Sequence, residues 1–483
     1  MSKTLQEEIR DQAHRGWLKF LEDVRARRKR LLCSQSGAWF RGQTKAYTLL
    51  PSLFRNPYFT HHRSIAKRNW EEFKALQARF EARLQEFSSQ RAVHGEEVRI
   101  AKGNLRSIKS TSGKAELETC QQRVREISER KSAFEIQGNE KLKDAQKTTN
   151  KEIQKQLQLL LKDGGRQHSR EREAFHQYRV LSNPTTRSSW EMLAEMRHYG
   201  VPTRFLDWSH SFDVAIFFAV ENVQAEFERQ NCADIFSFID CLLRRQGFPK
   251  ENVSPESFFA RLRADWNEFF HARVGHQAEF VVSEDTGLPI LWVLNPYHAC
   301  AIEKWYHKHL HEGGVTSLGY ELERAASVSD FLGDRNTFIY ELTHAGHLDY
   351  YRCFLSDADV DKNHEWHCYF PVPIYSPWSN LRLASQQSTF TVHGGAPVPI
   401  EEVYGRKVVD FVQMSAEAAI FAIEHLSFQG VDSFTIYRDP DRLGRRITQL
   451  FTKKRRFDVD SVVNPTVQQP PGHGIERGES VEI

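Results

Sequence analysis

The run from Arg79 to Gln177 contains no proline and few large apolar side chains, and it limits what this chain can fold into more than any other stretch. A segment made of Glu, Gln, Lys, Arg and Ser cannot bury a core of its own, yet nothing in it forbids a continuous helix. Partial heptad spacing at Val124 to Ile127 and Leu157 to Leu161, with breaks at Gly103 and Gly113, predicts an antiparallel helical hairpin. Such a hairpin must project from a body built by the rest of the chain. Its charges alternate in sign, so it reads as a solvated helix pair with a structural or partner-binding role rather than as a basic stripe for nucleic acid.

The remainder is rich enough in apolar residues for a large core, since the 483-residue chain is 40% hydrophobic. The net charge is only +3, which excludes a polycation and confines any nucleic-acid contact to a local patch. Seven cysteines without a Cys-x-x-Cys pair suit a reducing compartment. The first residues hold no apolar leader, and the longest purely apolar run, Val214 to Val220, is too short to span a bilayer. The expectation is a cytoplasmic protein with no membrane segment and no membrane partner.

Periodicity places the elements. Leu5 to Lys29 predicts a surface helix, Ala38 to Gln43 a short strand carrying Arg41, and Tyr47 to Phe54 an extended segment. Ser188 followed by Glu191 reads as a capping box opening a helix that stops at His198-Tyr199-Gly200. A second helix starts at Ser209 or Ser211 and carries the apolar run, so the residues between appear as a tight polar turn. Val223 to Phe270 reads as helical, broken near Pro249 and Pro255. Strands are expected at Ile290 to Leu294, Thr337 to Leu342, Thr389 to His393, Lys407 to Gln413 and Phe434 to Tyr437. Helices are expected from Ser415 to Leu426, stopped by Gly430, and from Asp439-Pro440 to Phe451. The predicted fold class is α+β, a mixed sheet with flanking helices. Residues 17–78 and 178–452 form the body, 79–177 the inserted hairpin, and 457–483 a disordered tail rich in Pro and Gly.

Three segments at element boundaries carry the candidate chemistry: Arg41 with Gln43, His198 to Asp207, and Arg382 to His393. Arg204 either meets an anion at a helix start or pairs internally with Asp207. His198 sits at a helix C-terminus, where the dipole favours the protonated ring, and serves either as a proton donor or as a structural histidine. Tyr199 is either a stacking platform or a core residue. The groups His307, His309, His311 and His364, His367, Cys368 do not have zinc-ligand spacing, so no metal is expected. The chain also lacks a P-loop, a dinucleotide glycine fingerprint and a Gly-x-Ser-x-Gly elbow.

Several uncommon blocks recur together: Trp39-Phe40-Arg41-Gly42-Gln43, Leu50-Pro51-Ser52-Leu53-Phe54-Arg55, His198-Tyr199-Gly200-Val201-Pro202-Thr203-Arg204-Phe205-Leu206-Asp207-Trp208, and Leu291 to Pro296. With Arg382, Gln386 or Gln387, Phe390 and His393-Gly394, and the closing pattern from Gly430 to Gly444, they resemble the FRG domain, named for its aromatic-Arg-Gly motif. The resemblance implies an effector similar to ADP-ribosyltransferases that uses NAD as substrate, acting as a bacterial or phage toxin or an anti-phage component. On that analogy Arg41 and Gln43 hold NAD, Tyr199 stacks on nicotinamide, and His198, Arg204 or Gln387 orient the ribose. Asp207 supplies the carboxylate that faces the developing positive charge. The chain departs from that superfamily in having no assured catalytic glutamate; Glu401 and Glu402 are the nearest candidates. The acceptor would be nucleic acid or protein, and an antitoxin or other partner would bind the hairpin. The competing readings are a non-enzymatic nucleotide or nucleic-acid binder and an interaction protein acting through the hairpin.

Overall fold

The computed structural model describes residues 4–31, 37–55, 60–108, 113–182, 189–245, 253–270, 287–300, 340–341, 371–375, 378, 380–393 and 397–452. The short β-branched and aromatic runs assemble into one sheet. Its strands are β1 (Trp39–Gln43), β2 (Phe205–Ser209), β3 (Ile290–Leu294), β4 (Tyr340–Glu341), β5 (Val372–Tyr375), β6 (Ser388–Val392) and β7 (Val409–Gln413). They lie in the order β4-β5-β6-β2-β1-β3-β7, antiparallel throughout except for the parallel pair β4 and β5. The sheet is therefore mixed, and with its helices the chain is α+β.

Helices cover both faces. Helix α1 (Leu5–Arg30) starts at a capping box between Thr4 and Glu7 and ends in four basic residues that oppose the helix dipole. Its buried stripe, Ile9, Ala13, Trp17, Phe20 and Val24, recurs every three or four residues and meets the helix Ala416–Phe428, to which Arg10 is tied through both oxygens of Glu424. On the same side lie α6 (Phe212–Ala219), α7 (Glu221–Arg229) and α8 (Ile235–Arg245). Ser211 caps α6, whose Val214, Ala215, Ile216, Phe217 and Ala219 are all buried, as expected of a helix that is apolar on every side.

The other face receives the root of the hairpin. Helices α3 (Thr60–Ile108) and α4 (Lys114–Leu181) would extend about 75 and 100 Å at 1.5 Å per residue. Trp70, stacked on Phe73, joins Ile153 and Phe175 in the core beneath β2, β6 and α5 (Ser189–His198). Farther out Phe87 stacks on Phe134, and Gly138 leaves room for the Phe87 ring, where a Cβ would come within 1.9 Å. Arg91 bonds Glu135 at 2.8 Å and Gln156 bonds Glu72 at 2.7 Å, which fixes the antiparallel register.

Several expectations need correction. The stretch between α5 and α6 is a central strand rather than a turn, because Phe205, Leu206 and Trp208 are buried and β2 aligns residue by residue with β6. Phe434 to Tyr437 belongs to a short helix, Ser433–Tyr437, because Asp432 and Thr435 form a capping box. Ser52–Arg55 is the short helix α2 rather than extended chain. The hairpin begins at Thr60, since Trp70 and Phe73 give α3 an apolar root that composition alone assigns to the body. The Ser188 cap, most of Thr337 to Leu342, the histidine groups at 307–311 and 364–368, and the tail lie outside the described residues. Among the described residues no helix is long and apolar enough to cross a membrane.

Candidate functional site

Strand β1 holds a five-residue register with β3, and β2 holds one with β6, but β1 and β2 pair only at Phe40 and Ser209. Past that point the two strands separate in the middle of the sheet, and their backbone groups need other partners. Arg41 provides one, donating from Nη1 to the carbonyl of Asp207 at 2.6 Å. Gly42 allows α6 to close over β1, because a Cβ there would meet the Ala215 carbonyl oxygen at 1.8 Å and the Ala219 nitrogen at 2.4 Å. The aromatic-Arg-Gly motif thus has a local cause for its last two residues. A cleft of about 300 Å³ opens at the gap, walled by Arg41, Arg197, His198, Asp207, Arg382 and Tyr437.

The cleft carries excess positive charge. Arg197, in the last turn of α5, grips Asp207 Oδ2 with Nε at 2.9 Å and Nη2 at 2.7 Å, while Arg41 Nη1 stands 3.5 Å from the same oxygen. Arg55, at the end of α2, lies within electrostatic reach of Arg41, Arg197 and Asp207. Burial lowers the Arg41 and Arg55 guanidiniums to about 10, opposed by Asp207 and deepened by the neighbouring arginines. For Asp207, burial acts upward, but the Arg197 and Arg41 charges outweigh it and hold the carboxyl below its ordinary value. The Asp207 carboxylate therefore contacts two guanidiniums and lies within electrostatic reach of a third.

Unsatisfied donors point the same way. Arg41 Nε, Arg382 Nε and His198 Nε2 are buried with no hydrogen-bond partner among the described residues. Buried polar atoms are rarely left so, and three around one cleft suit an anionic ligand with hydroxyl groups. At the outer end Tyr437 is sandwiched near Arg442 and Arg382, whose Cζ atoms lie 3.3 and 4.8 Å from the ring centre. Burial first, then the adjacent Glu221 carboxylate, raises the Tyr437 hydroxyl, which donates to Glu221 Oε1.

Of the residues singled out in the sequence, Arg41, His198 and Asp207 converge on the cleft. Tyr199 is exposed beside its mouth, with Arg382 5.9 Å from its ring centre. His198 differs in protonation from the expectation: burial, helped by the Arg382 and Arg197 charges against Asp207, lowers it to about 4, so the ring is neutral near pH 7. Gln43 is buried in the core, where its Oε1 accepts from Trp292 Nε1 at 2.9 Å. Gln387 is exposed in a left-handed turn at φ 44°, its carbonyl accepting from the His210 N–H; Gln386 lines the cleft in its place.

Arg204 meets neither an external anion nor Asp207. It is fully buried against α4, where its Nε is 2.5 Å from Glu171 Oε2 and its backbone N–H donates to Oε1 at 2.8 Å. The hairpin's root, which the sequence could not connect to this position, supplies that partner. Glu401 lies in the short helix Ile400–Tyr404 and accepts from the Leu49 N–H, while Glu402 faces Lys74 at 3.3 Å; neither lines the cleft. Arg55, Arg197 and Tyr437 are the additions from the structure. Arg55 closes the Leu50–Arg55 block and Arg197 lies on the helix that ends at His198, but no local pattern names Asp207 as their neighbour. Among the described residues no group of His, Cys, Asp or Glu is arranged to hold a metal.

No curated protein and no solved structure was found to match the chain. A family model, described as FRG domain, matches residues 137–228, a span that runs from within α4 through α5, β2 and α6 into α7. It contains Arg197, His198 and Asp207, while Arg41 and Arg382 lie outside it and reach the same cleft through the sheet. The chain therefore carries an FRG domain.

Proposed function

We propose that this chain is an NAD-using effector of ADP-ribosyltransferase type, which takes the dinucleotide into the cleft between β1 and β2. The observation that carries the proposal is the combination of a split sheet with three guanidiniums around a single carboxylate, because that excess of charge fits a diphosphate. Arg41 Nε, buried and unpartnered among the described residues, turns to the phosphate oxygens. The neutral His198 ring offers Nε2 to a ribose hydroxyl. Tyr199 at the mouth gives a ring for stacking.

In the reaction the bond from ribose C1′ to the nicotinamide nitrogen breaks, nicotinamide leaves as a neutral molecule, and the acceptor's nucleophile bonds to C1′ while its proton passes to solvent. Asp207, kept ionised by its arginines, faces the positive charge that develops on the ribose. Either a protein or a nucleic acid serves as acceptor, and the biological outcome is toxicity or defence against phage.

A second reading, binding of a nucleotide without turnover, is favoured by one observation: Arg197 and Arg41 already engage Asp207, which leaves that anion little charge to spend on a transition state. Calorimetric titration with NAD, ADP-ribose and inorganic phosphate, together with label transfer from adenylate-labelled NAD into a bacterial lysate, separates the two. Binding plus transfer supports the transferase, binding without transfer supports the second reading, and no binding of NAD or ADP-ribose overturns both.

A further inference from the structure

Away from the cleft, Cys232 and Cys241 bring their sulfur atoms to 3.7 Å, and both thiols are free. The approach follows from how the corner between α7 and α8 is built. Helix α7 ends in a Schellman arrangement: Asn231 takes the left-handed conformation at φ 52°, its N–H donates to the Glu228 carbonyl, and the Cys232 N–H returns to the Phe227 carbonyl at 3.3 Å. That geometry folds the residue after the left-handed position back onto the helix, and Cys232 is accordingly buried. Helix α8 begins with a reciprocal cap, Ser237 N–H to Asp234 Oδ1 at 2.8 Å and Asp234 N–H to Ser237 Oγ at 3.0 Å. One turn after Ser237 comes Cys241. The thiols therefore face each other across a corner fixed at both ends.

The two sulfurs differ in surroundings. Cys241 is partly exposed and has the Arg244 Nη2 at 3.8 Å from its Sγ. Cys232 is buried, and its thiol is pushed up to about 12 by burial, with the neighbouring Cys241 adding to the rise. The accessible sulfur is thus the one a soluble oxidant reaches first, and the buried one lies beside it.

We propose that Cys232 and Cys241 form a reversible disulfide, a redox modification site at the α7–α8 corner. The oxidant is a small disulfide such as oxidised glutathione. The Cys241 thiolate attacks one of its sulfurs and expels a glutathione thiolate, giving a mixed disulfide on Cys241. Cys232 then loses its proton to solvent and attacks Cys241 Sγ, expelling the second glutathione. Two protein thiols are oxidised, and one glutathione disulfide is reduced to two thiols. Closing the bond brings the sulfurs from 3.7 Å to about 2.0 Å.

The test is incubation of the full chain with oxidised glutathione, alkylation of the remaining thiols, and peptide mapping without reduction. The expected product is a peptide pair joined between Cys232 and Cys241, which dithiothreitol separates. Cys232→Ala should stop at glutathione on Cys241, and Cys241→Ser should leave Cys232 unmodified in the folded protein. The proposal is overturned if wild-type protein accumulates stable glutathione on Cys241 without the joined peptides. It fails equally if both thiols remain alkylatable after oxidation. Because Cys241 is partly exposed, Cys241→Ser keeps the test valid if Cys232→Ala does not fold.

Discussion

Arg41 spans the gap between β1 and β2, its Nη1 donating to the Asp207 carbonyl at 2.6 Å while Arg197 holds the Asp207 carboxylate from the other side. A side chain here does what a strand neighbour does elsewhere in the sheet, so the same residue closes the backbone account and charges the cleft. Arg41→Ala removes both contributions. It should cost about 1–3 kcal/mol of stability by leaving that carbonyl without its partner, and it should abolish detectable NAD binding in calorimetry. Arg41→Lys keeps the charge but not the fork, so it should recover more stability than affinity. Unchanged affinity in Arg41→Ala would remove this arginine from the ligand site.

Glu171 and Arg204 form a fully buried ion pair that ties α4 to the start of β2, three residues before Asp207. Removing one partner leaves a buried charge without compensation, so Glu171→Ala should destabilise the fold by about 3–5 kcal/mol. Urea unfolding followed by circular dichroism measures it. Loss of less than about 1 kcal/mol would mean that water reaches this contact, contrary to its burial.

The pH dependence of stability follows from groups whose protonation changes on folding. Burial lowers His198 and His298 from 6.5 to about 4, so below pH 6.5 the unfolded chain binds the protons that the folded chain refuses. Stability should therefore fall as pH drops from 6.5 towards 4, by an amount on the order of 3 kcal/mol for His198. Glu401 has the opposite sign. Burial raises it from 4.5 to about 8, so the fold keeps a proton that the unfolded chain has lost, and stability should decline as pH rises from 4.5 to 8. Glu401→Gln, which retains an acceptor for the Leu49 N–H, should flatten that decline and leave the His-dependent acid limb in place. Urea midpoints measured from pH 4 to 8.5, a range bracketing these values, would show both limbs.

Local signals in the sequence were enough for α1, β1, β3, β6, β7 and the existence of the hairpin's two helices, because capping residues and apolar periodicity act over a few positions; of the two expected glycine breaks, Gly113 caps α4, but Gly103 lies inside the continuous helix α3. The β2 segment reads as a connector in the sequence because a helix ending at His198 and a cap at Ser211 flank the polar Arg204 and Asp207. Its strand character comes from pairing with β6, nearly two hundred residues away in the sequence. Arg41, His198 and Asp207 could be marked by type and position. Their sorting from Arg204, Gln43 and Gln387 depended on which side of a strand each faces and on Glu171 and Trp292, partners that no local pattern names.

Gly42 is a steric requirement rather than a flexible point. A Cβ at this position runs into backbone atoms of α6 at Ala215 and Ala219, and backbone cannot rotate away as a side chain can. Gly42→Ala should push α6 off β1 and cost about 1–3 kcal/mol or more, with a lower thermal midpoint. Gly95→Ala, on the hairpin with nothing within 4 Å of the added Cβ, is the control and should be neutral or slightly stabilising, since alanine favours helix. Equal midpoints for the two variants would show that α6 has freedom the structure does not suggest.

The hairpin divides into a root that belongs to the core and an outer part that does not. Trp70, Phe73, Phe80, Ile153, Glu171 and Phe175 are buried at the root, whereas Val93, Ile100 and Ile136 on the outer part are exposed. Phe87 lies beside Phe134 and Gly138, so the two helices can be joined just inside that level without shifting their register. Replacing residues 86–140 by a short glycine-rich turn should therefore leave the far-ultraviolet spectrum helical, the folding cooperative and any affinity for NAD unchanged. Extending the deletion to residue 165 removes Ile153, which is wholly buried, and should destabilise the body by about 2–5 kcal/mol through the cavity it leaves. If the shorter deletion abolishes cellular toxicity while sparing nucleotide binding, the outer hairpin engages a partner. If it abolishes nucleotide binding as well, the outer hairpin is needed to hold the cleft, and its division from the root is wrong.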